Sequence, residues 1–444
     1  MRKDWEFFGR IVEIGEIRRI VSSGRWFFCA VSGRRRIGKT SLIQEALKGV
    51  ERPHFYVQIP DSDERGVIQV FRDALEDFYH FSPSFDRPSR AINSFLDMAH
   101  QIDAMNRAGI VVTLDEFQYF HRAAMAPFTS FLQARVDQLR DQERGGLFVL
   151  GSIHTEMMAI LEDRSAPLFN RVTHRLAVDH WDFATLFEMF DTFEIPDAQQ
   201  RLFLWSLFEG VPKFYRDCFE QGVLKSAAEY RHDTLRALFF DSSSPLRDEA
   251  SNWFLREMRG RVDTVLRIIA KHGPCPLGEI KADYGDAADS SDKQLGVYLQ
   301  ALIDRYRMIE KLAPIFSDPK KGRKARYAIT DNFLMAWLKA IERNVNISRV
   351  QPIDIAVDRA ATFIETVEGF TFEKMVRLLS EEMLAQKRRR LSADRSRTRL
   401  LEQAGRVGHR DRHRCSESRR SASPLRLVQA QRREAHRRRT CWLP

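Results

Sequence analysis

The segment of the sequence with the clearest chemistry is GRRRIGKT, which runs from Gly33 to Thr40. It fits the pattern GxxxxGK[ST], follows the apolar run 26–32 and precedes the helix-like stretch 41–47. In a loop of this kind, backbone N–H groups turn inward around phosphates, and the positive end of the following helix strengthens the attraction. The segment therefore predicts a P-loop NTPase that holds the triphosphate of ATP.

Two side chains of this loop have expected direct roles. We expect Lys39 to contact the β and γ phosphates and to contribute to catalysis, and the Thr40 hydroxyl to ligate Mg²⁺. The loop arginines 34–36 need only their backbone for phosphate, so their side chains are expected to be solvated. The expected nucleotide-binding residues of the loop are Gly33, Arg36, Ile37, Gly38, Lys39, Thr40 and Ser41.

A second apolar run, Ile110–Leu114, ends in two acids, Asp115 and Glu116. Asp115 is the predicted holder of Mg²⁺ through its water shell, and Glu116 the predicted general base that polarises the attacking water. Taken alone, this segment is equally well explained by a buried strand that ends in a solvated acidic turn. Its occurrence at this separation from the Gly33–Thr40 loop favours the catalytic interpretation.

Two further catalytic candidates carry weaker signals. Ser152 follows the apolar run Gly146–Gly151, where a polar side chain is placed to sense the γ phosphate; capping of the next helix is the alternative. Arg171 and Arg175 are placed to offer positive charge to the transition state, from the same or an adjacent subunit; an exposed or structural role is the alternative.

The order of apolar patterns predicts an α/β fold with several domains. Residues 1–180 alternate strand-like and helical runs, which is typical of a parallel sheet covered by helices. The period is then helical to about residue 250, with a break at Gly210–Pro212. We expect a P-loop ATPase core at 1–181, a helical lid at 182–250, a winged helix at 251–345, the start of a nuclease-like region at 346–386 and a disordered Arg-rich tail at 387–444.

The expected winged helix rests on three helical stretches followed by a hairpin. The stretches are 262–270, 277–283 and 291–305, and the strands 308–312 and 325–329 flank a polar turn at 318–322. Winged helices bind DNA or proteins, so either partner remains open. The candidate DNA contacts are Lys293, Gln294, Arg305, Lys320, Lys321, Arg323, Lys324 and Arg326.

The charge of the chain is concentrated at its carboxy end. Residues 387–444 hold one Lys and eighteen Arg against five acidic residues. The net positive charge of this segment therefore exceeds the net charge of the whole chain, +10. The rest of the chain is therefore slightly acidic, which argues against strong attraction to nucleic-acid phosphates. Five scattered cysteines lack metal-ligand spacing, and the apolar runs are too short to span a bilayer, so we expect a cytoplasmic protein without a membrane partner.

With these motifs, the sequence resembles the archaeal-type ATPases, a branch of the AAA+/STAND-like P-loop ATPases. SGRRRIGKTSLI at 32–43 and LDEFQYF at 114–120 are similar to the phosphate loop and the acidic strand end of that family. Phe8-Gly9-Arg10 with Glu13 resembles its amino-terminal box, which implies that Gly9 and Arg10 lie near the nucleotide base; Ile11 replaces the first Glu of that box. The segments 151–152, 167–171, 210–215 and 327–337 resemble its sensor, its PLYxR segment, its lid turn and the end of its winged helix.

The resemblance also implies a nuclease-like region whose first acid is Glu373. That chemistry needs a further acid on a strand and an ExK sequence, and no ExK follows residue 386. Two interpretations of the last 58 residues stay open: a frameshifted or degenerate carboxy terminus, or a basic disordered arm. Nuclease activity is not expected of this chain.

We therefore expect an Mg²⁺-dependent ATPase that acts as a nucleotide-driven switch, in which ATP closes the sheet domain on the lid and moves the winged helix. The alternative is a winged-helix DNA-binding regulator for which ATP is only a ligand. Whether the protein forms a homo-oligomer is open.

Overall fold

Five short strands form one parallel sheet in the amino-terminal part of the chain. The computed structural model describes residues 4–87, 91–152, 154–249, 261–287, 292–312 and 325–411. The strands are β1 (Phe28–Ser32), β2 (His54–Gln58), β3 (Val111–Asp115), β4 (Gly146–Gly151) and β5 (His174–Ala177). Their order is β2-β3-β4-β1-β5, and every neighbouring pair is parallel. The predicted parallel sheet is confirmed.

The three strands that the sequence predicted are the central ones. All residues of β3 and β4 are buried, and so is β1 except at its last residue, because these strands have neighbours on both sides and helices on both faces. The edge strand β2 alternates between buried and exposed residues, and β5 buries only one of its four. The two edge strands were missed because neither has a continuous apolar run.

Helices that follow the strands cover the sheet and build its core. Asp63 and Ser94 accept hydrogen bonds from the first turns of the helices that they precede, which fixes where the third and fourth helices begin. Phe55, Phe71 and Phe128 are among the fully buried rings between these helices and the sheet. The helices are α1 (Ile11–Val21), α2 (Lys39–Leu47), α3 (Glu64–Phe81), α4 (Phe95–Arg107), α5 (Pro127–Leu139) and α6 (His154–Leu161).

The segment after β5 is helical, in the range predicted as a lid. Asp182 and Asp197 cap its first two helices, and Pro212 stands at the first position of the third, where the missing N–H has no cost. The helices are α7 (Phe183–Thr192), α8 (Ala198–Phe208), α9 (Pro212–Glu220) and α10 (Tyr230–Leu235), and a π-helical turn, Arg236–Phe240, follows the last.

Three helices and then two strands occur in the order that predicted a winged helix, and one further short strand, which was not predicted, lies between the first two helices. The winged helix itself stays a prediction. The elements are α11 (Val262–His272), α12 (Leu277–Ala287) and α13 (Asp292–Gln300), a π-helical turn Ala301–Arg305, and the strands β6 (Cys275–Pro276), β7 (Ile309–Leu312) and β8 (Arg326–Ile329). The strands form an antiparallel sheet in the order β6-β8-β7. The predicted turn at 318–322, with the candidate DNA contacts Lys320, Lys321, Arg323 and Lys324, lies outside the described residues, as does the side chain of Lys293.

The rest of the described chain is helical. The elements are α14 (Asn332–Ala336), a π-helical turn (Trp337–Ile341), α15 (Glu342–Ile347) and α16 (Ile353–Asp411). We expected no regular structure after 386, yet α16 continues to Asp411; residues 412–444 lie outside the described part. Residues 387–411 contain no proline and are mostly good helix formers, so their composition argued against a core but not against a helix.

The chain divides into two compact units, Met1–Arg377 and Leu378–Pro444, and the residues of the candidate site all lie within the first. Among the described residues, no helix combines the length and the apolar composition that crossing a bilayer requires.

The packing against Gly146 is close, and a substitution at this position can test it. A Cβ at this first residue of β4 would stand 2.2 Å from the ring of Phe27, which is fully buried. We expect Gly146→Ala to lower the free energy of unfolding by about 1 to 3 kcal/mol, since the ring must move. The matched control is Gly15→Ala on the exposed face of α1, where nothing lies within 4 Å and a gain of up to about 1 kcal/mol is expected. Urea unfolding of both variants checks this; equal stabilities would contradict it.

Candidate functional site

The Gly33–Thr40 loop lies between β1 and α2, at the carboxyl edge of the sheet. Arg36 and Gly38 have left-handed backbone angles, φ 66° and 86°, which turn the chain back on itself. A Cβ at Gly33 would stand 2.4 Å from the carbonyl oxygen of Val178, so only glycine fits beside the chain that leaves β5. Gly38 precedes α2 without a side chain to cap it. The first-turn N–H groups of α2 are thus placed to meet an anion.

Lys39 is folded back onto the loop. Its Nζ donates to the carbonyl oxygens of Gly33 at 3.0 Å and of Arg34 at 3.1 Å. Burial lowers the pKa of Lys39 to about 8, although the nearby carboxylates of Glu116 and Asp115 oppose that shift. The ammonium group is therefore held in the loop by neutral carbonyls, which an anionic phosphate can replace.

The carboxylate of Asp115 is buried and accepts three hydrogen bonds. Its Oδ2 accepts from the Thr40 hydroxyl at 2.5 Å and from the Tyr56 hydroxyl at 2.9 Å, and its Oδ1 accepts from the N–H of Glu116 at 2.8 Å. The hydroxyl of Thr40 and the carboxylate of Asp115 are the hard oxygen donors that Mg²⁺ takes in nucleotide sites, so the residues present fit this ion.

Glu116 follows at the turn after β3, with a left-handed φ of 56°. Its Oε2 lies 3.4 Å from the hydroxyl of Ser152 and accepts a hydrogen bond from the side-chain amide of Gln118. Because β4 lies between β1 and β3, Ser152 at the end of β4 stands between the loop and the acidic strand end. The structure thus brings together Lys39, Thr40, Asp115, Glu116 and Ser152, as their predicted roles require.

A cavity of about 610 Å³ opens beside the loop. It is lined by loop residues, by Asp115 and Glu116, and by aromatic, apolar and charged side chains from other segments. The Trp5 ring stacks on the Trp181 ring with their centroids 6.4 Å apart, which holds the amino-terminal segment in place. The large apolar residues of this lining outside the loop are Trp5, Phe7, Phe8, Trp181 and Pro212. Only Phe8 and Pro212 were recognisable from the sequence.

Gly9 and Arg10 hold the amino-terminal segment against the loop. A Cβ at Gly9 would stand 2.3 Å from the hydroxyl of Thr185 on α7, so Gly9 lies directly against that helix. The buried guanidinium of Arg10 donates to the carbonyl oxygens of Asp179 at 2.5 Å and Ile37 at 3.5 Å. Arg10 also lines the cavity. Contact between a nucleotide and either Gly9 or Arg10 stays a prediction.

Arg171 and Arg175 lie away from the residues that converge on the loop. The Arg171 guanidinium pairs with both oxygens of Asp137, at 2.8 and 2.9 Å, and Arg175 pairs with Glu162. In this structure both have the structural role that the sequence left as an alternative. A role for Arg171 towards an adjacent subunit stays a prediction.

Two of the three loop arginines, Arg34 and Arg36, are not solvated as expected, because acids outside the sheet domain meet them, whereas Arg35 is exposed. Arg34 pairs with Asp331, while Arg36 pairs with Glu249 at 2.5 Å and lies 3.7 Å from Asp217 on α9. Their side chains are only 18% and 24% exposed. Both guanidinium carbons also lie 5.9 Å from the centre of the Phe214 ring. Only the folded chain brings these distant acids to the loop.

Two further residues of the site, Tyr56 and Gln118, were missed by sequence reasoning. Tyr56 lies on the edge strand that the apolar pattern did not reveal, and nothing near it in the sequence marks it as a partner of Asp115. Gln118 lies within LDEFQYF, so its closeness to Glu116 was visible, but its contact with Ser152 was not.

The sheet order, the loop and the acidic strand end together define a P-loop NTPase fold. Residues 7–213 match a family described as an ATPase domain predominantly from Archaea. Residues 7–213 therefore carry an ATPase domain of this family, which the motifs of the sequence predicted.

Individual relatives are distant. An uncharacterized protein of Methanocaldococcus jannaschii is 24% identical over 383 residues, which cover 84% of this chain and 76% of that protein. A Walker-type ATPase of Pyrococcus abyssi superposes with a TM-score of 0.55 at 17% identity, over 75% of this chain and 96% of the other. The ORC2 protein of Aeropyrum pernix superposes with a TM-score of 0.53 at 15% identity, over 78% and 95%. These structures show the same fold.

The lowered pKa of Lys39 predicts that nucleotide binding takes up protons. In the free protein Lys39 loses its charge as the pH rises through about 8, and anionic phosphates favour the charged form, so its pKa rises on binding. We expect little proton uptake at pH 7 and clear uptake at pH 8.5, measured by calorimetric titration with Mg·ATP in buffers of different ionisation enthalpy. Lys39→Arg, which is always charged, is the control and should show none. Equal uptake at both pH values would contradict the prediction.

Proposed function

We propose that this protein binds Mg·ATP in the 610 Å³ cavity and hydrolyses it, and that it uses this cycle as a switch. The observation that carries the proposal is the convergence of Lys39, Thr40, Asp115 and Glu116 at one edge of the sheet. The uncapped amino terminus of α2 adds backbone donors for the phosphates. The aromatic side chains that line the cavity suit a planar base.

Each of these side chains has a distinct role in the proposed reaction. Lys39 would exchange its loop carbonyls for phosphate oxygens, and the Thr40 hydroxyl and the Asp115 carboxylate would hold Mg²⁺. The ion, when bound, offsets negative charge on the phosphates. Glu116 would accept a proton from the water that attacks the γ phosphate as the bond to the leaving ADP breaks. Ser152 lies beside Glu116 at the end of β4.

The proposed switch is supported by ion pairs between arginines of the phosphate loop and acids on other segments of the chain. Arg36 joins the loop to Asp217 on α9 and to Glu249, and Arg34 joins it to Asp331, which caps α14 just after the β7-β8 hairpin. The backbone of these arginines must adapt to phosphate, while their side chains hold the helical segment and the hairpin. A change of loop conformation is therefore transmitted to both.

A second junction is centred on the buried carboxylate of Glu209. Glu209, whose φ is 48°, pairs with Lys374 of α16, and its Oε2 accepts from the N–H of Asn332 at 3.2 Å. Lys374 also donates to the carbonyl oxygen of Thr330 at 2.5 Å. Burial alone would raise the pKa of Glu209, but the charges of Lys374 and His180 outweigh it and lower the pKa. This ion pair ties the helical segment, the hairpin exit and α16 together.

The third helix of the expected winged helix, α13, lines a second cavity together with the phosphate loop. This cavity, of about 1370 Å³, is lined by Gly33 and Glu116 on one side and by Tyr298 and Arg305 on the other. The Arg305 guanidinium lies 5.3 Å from the ring centre of Tyr306. Arg305 and α13 are thus turned towards the phosphate loop, so we propose that nucleotide controls access to them. Binding of DNA or protein by this helix is the second candidate function.

Hydrolysis is tested by comparing three proteins. We expect the unmodified protein to turn over radiolabelled ATP, Lys39→Ala to lose both binding and turnover, and Glu116→Gln to bind ATP but turn it over at least about 100-fold more slowly. Binding is followed by calorimetry in parallel. Equal rates in all three proteins would refute hydrolysis, and absence of binding by folded, unmodified protein would refute the site.

Transmission from the loop is tested at Asp331. Its Oδ1 caps α14 by accepting from Leu334 N–H at 2.8 Å, while its Oδ2 pairs with Arg34. Asp331→Asn keeps a capping side chain but removes the charge. We expect it to bind Mg·ATP yet to lose most of the ATP-induced change in hydrogen exchange over residues 292–312. Asp191→Asn, which weakens the exposed pair with Arg201, is the matched control. An unchanged exchange response in Asp331→Asn would contradict the proposed route.

A further inference from the structure

The side chain of Gln118 lies between the proposed base and the neighbouring strand end. Gln118 belongs to the 3-10 turn Phe117–His121 that follows β3, and its side chain is buried. Its Nε2 donates to Oε2 of Glu116 and lies 3.4 Å from the hydroxyl of Ser152, and its Oε1 accepts from the backbone N–H of Ser152 at 3.2 Å. One buried amide thus contacts both catalytic candidates.

The chemistry of these neighbours fixes which way the amide points. The backbone N–H of Ser152 is only a donor, so the carbonyl oxygen of Gln118 must face it. The NH₂ group then faces the Glu116 carboxylate, which when ionised can only accept. The opposite orientation would place donor against donor and acceptor against acceptor in a buried site.

We propose that Gln118 is a positioning residue for Glu116, a role that rests on the proposed hydrolysis. The amide holds Oε2 of Glu116 against the end of β4, which leaves Oε1 to accept the proton of the attacking water. Because Glu116 has a left-handed φ of 56°, its backbone is restrained too, so the carboxylate is held from both ends.

The first test replaces Gln118 by methionine, which has a similar length and no amide. We expect Gln118→Met to lower kcat by about 10- to 100-fold, because a misplaced base loses its alignment with water. KM and the Kd for Mg·ATP should not change, because the interactions of Lys39 and Thr40 do not involve Gln118. An unchanged kcat would overturn the proposal. So would a fall in kcat that is matched by losses in ATP affinity and melting temperature, since that pattern indicates a structural role.

The second test replaces Gln118 by glutamate, which has the same shape but cannot donate a hydrogen bond when it is ionised. Its carboxylate would face the Glu116 carboxylate and repel it. We expect Gln118→Glu to lower kcat at pH 8 at least as much as Gln118→Met does. A kcat equal to that of the unmodified protein would overturn the proposal.

A third measurement separates failure of this inference from failure of the proposed function. Crystal structures of the unmodified protein and Gln118→Met, each with Mg²⁺ and a non-hydrolysable ATP analogue, should show the Glu116 carboxylate displaced only in the variant. A carboxylate in the same place in both would overturn the positioning role, whatever the rates. If the unmodified protein binds the analogue but does not hydrolyse ATP, the proposed function fails, and displacement still supports the hydrogen-bonded restraint.

Discussion

The structure depends on a loop backbone, Gly33–Thr40, that has to turn sharply in a small space. The loop enters from β1 beside the chain that leaves β5, where Gly33 leaves no room for a Cβ, and it ends at Gly38, whose left-handed φ starts α2. The amino terminus of that helix carries no capping side chain and no acidic residue in its first turn. The first-turn N–H groups and the positive helix end at that point suit an anion such as phosphate.

The negative side of the site is stabilised by hydrogen bonds that form within the protein. Asp115 is buried, which would be costly for an isolated carboxylate, but three donors from three segments satisfy it. One of these donors, Thr40, comes from the phosphate loop itself, so the acidic strand end and the loop are in contact before any ligand arrives. Lys39 meets neutral carbonyls instead, and its lowered pKa reflects that its burial outweighs the attraction of the nearby acids.

The same loop also joins the sheet domain to the helical segment and to the hairpin. Phosphate binding does not require the side chains at positions 34 and 36, and here they meet Asp331, Glu249 and Asp217. Asp217 is buried, which raises its pKa, although Lys213 and Arg36 oppose that shift. Such a partly buried pairing is sensitive to small movements, since its strength depends on keeping water out. For this reason we propose that the loop binds phosphate and also passes a conformational change to the helical segment and the hairpin.

The sequence by itself determined the central sheet and the chemistry of its edge. Continuous apolar runs marked β1, β3 and β4, because buried strands leave a local pattern, and the loop and the acid pair were readable because their spacing is set by the phosphates. The tertiary structure decided the rest. The edge strands β2 and β5, the contact of Tyr56 with Asp115 and the pairing of Arg34 with the sequence-distant Asp331 have no local signature. They arise from distant segments that must fit against one another, and residue spacing along the chain does not encode that fit.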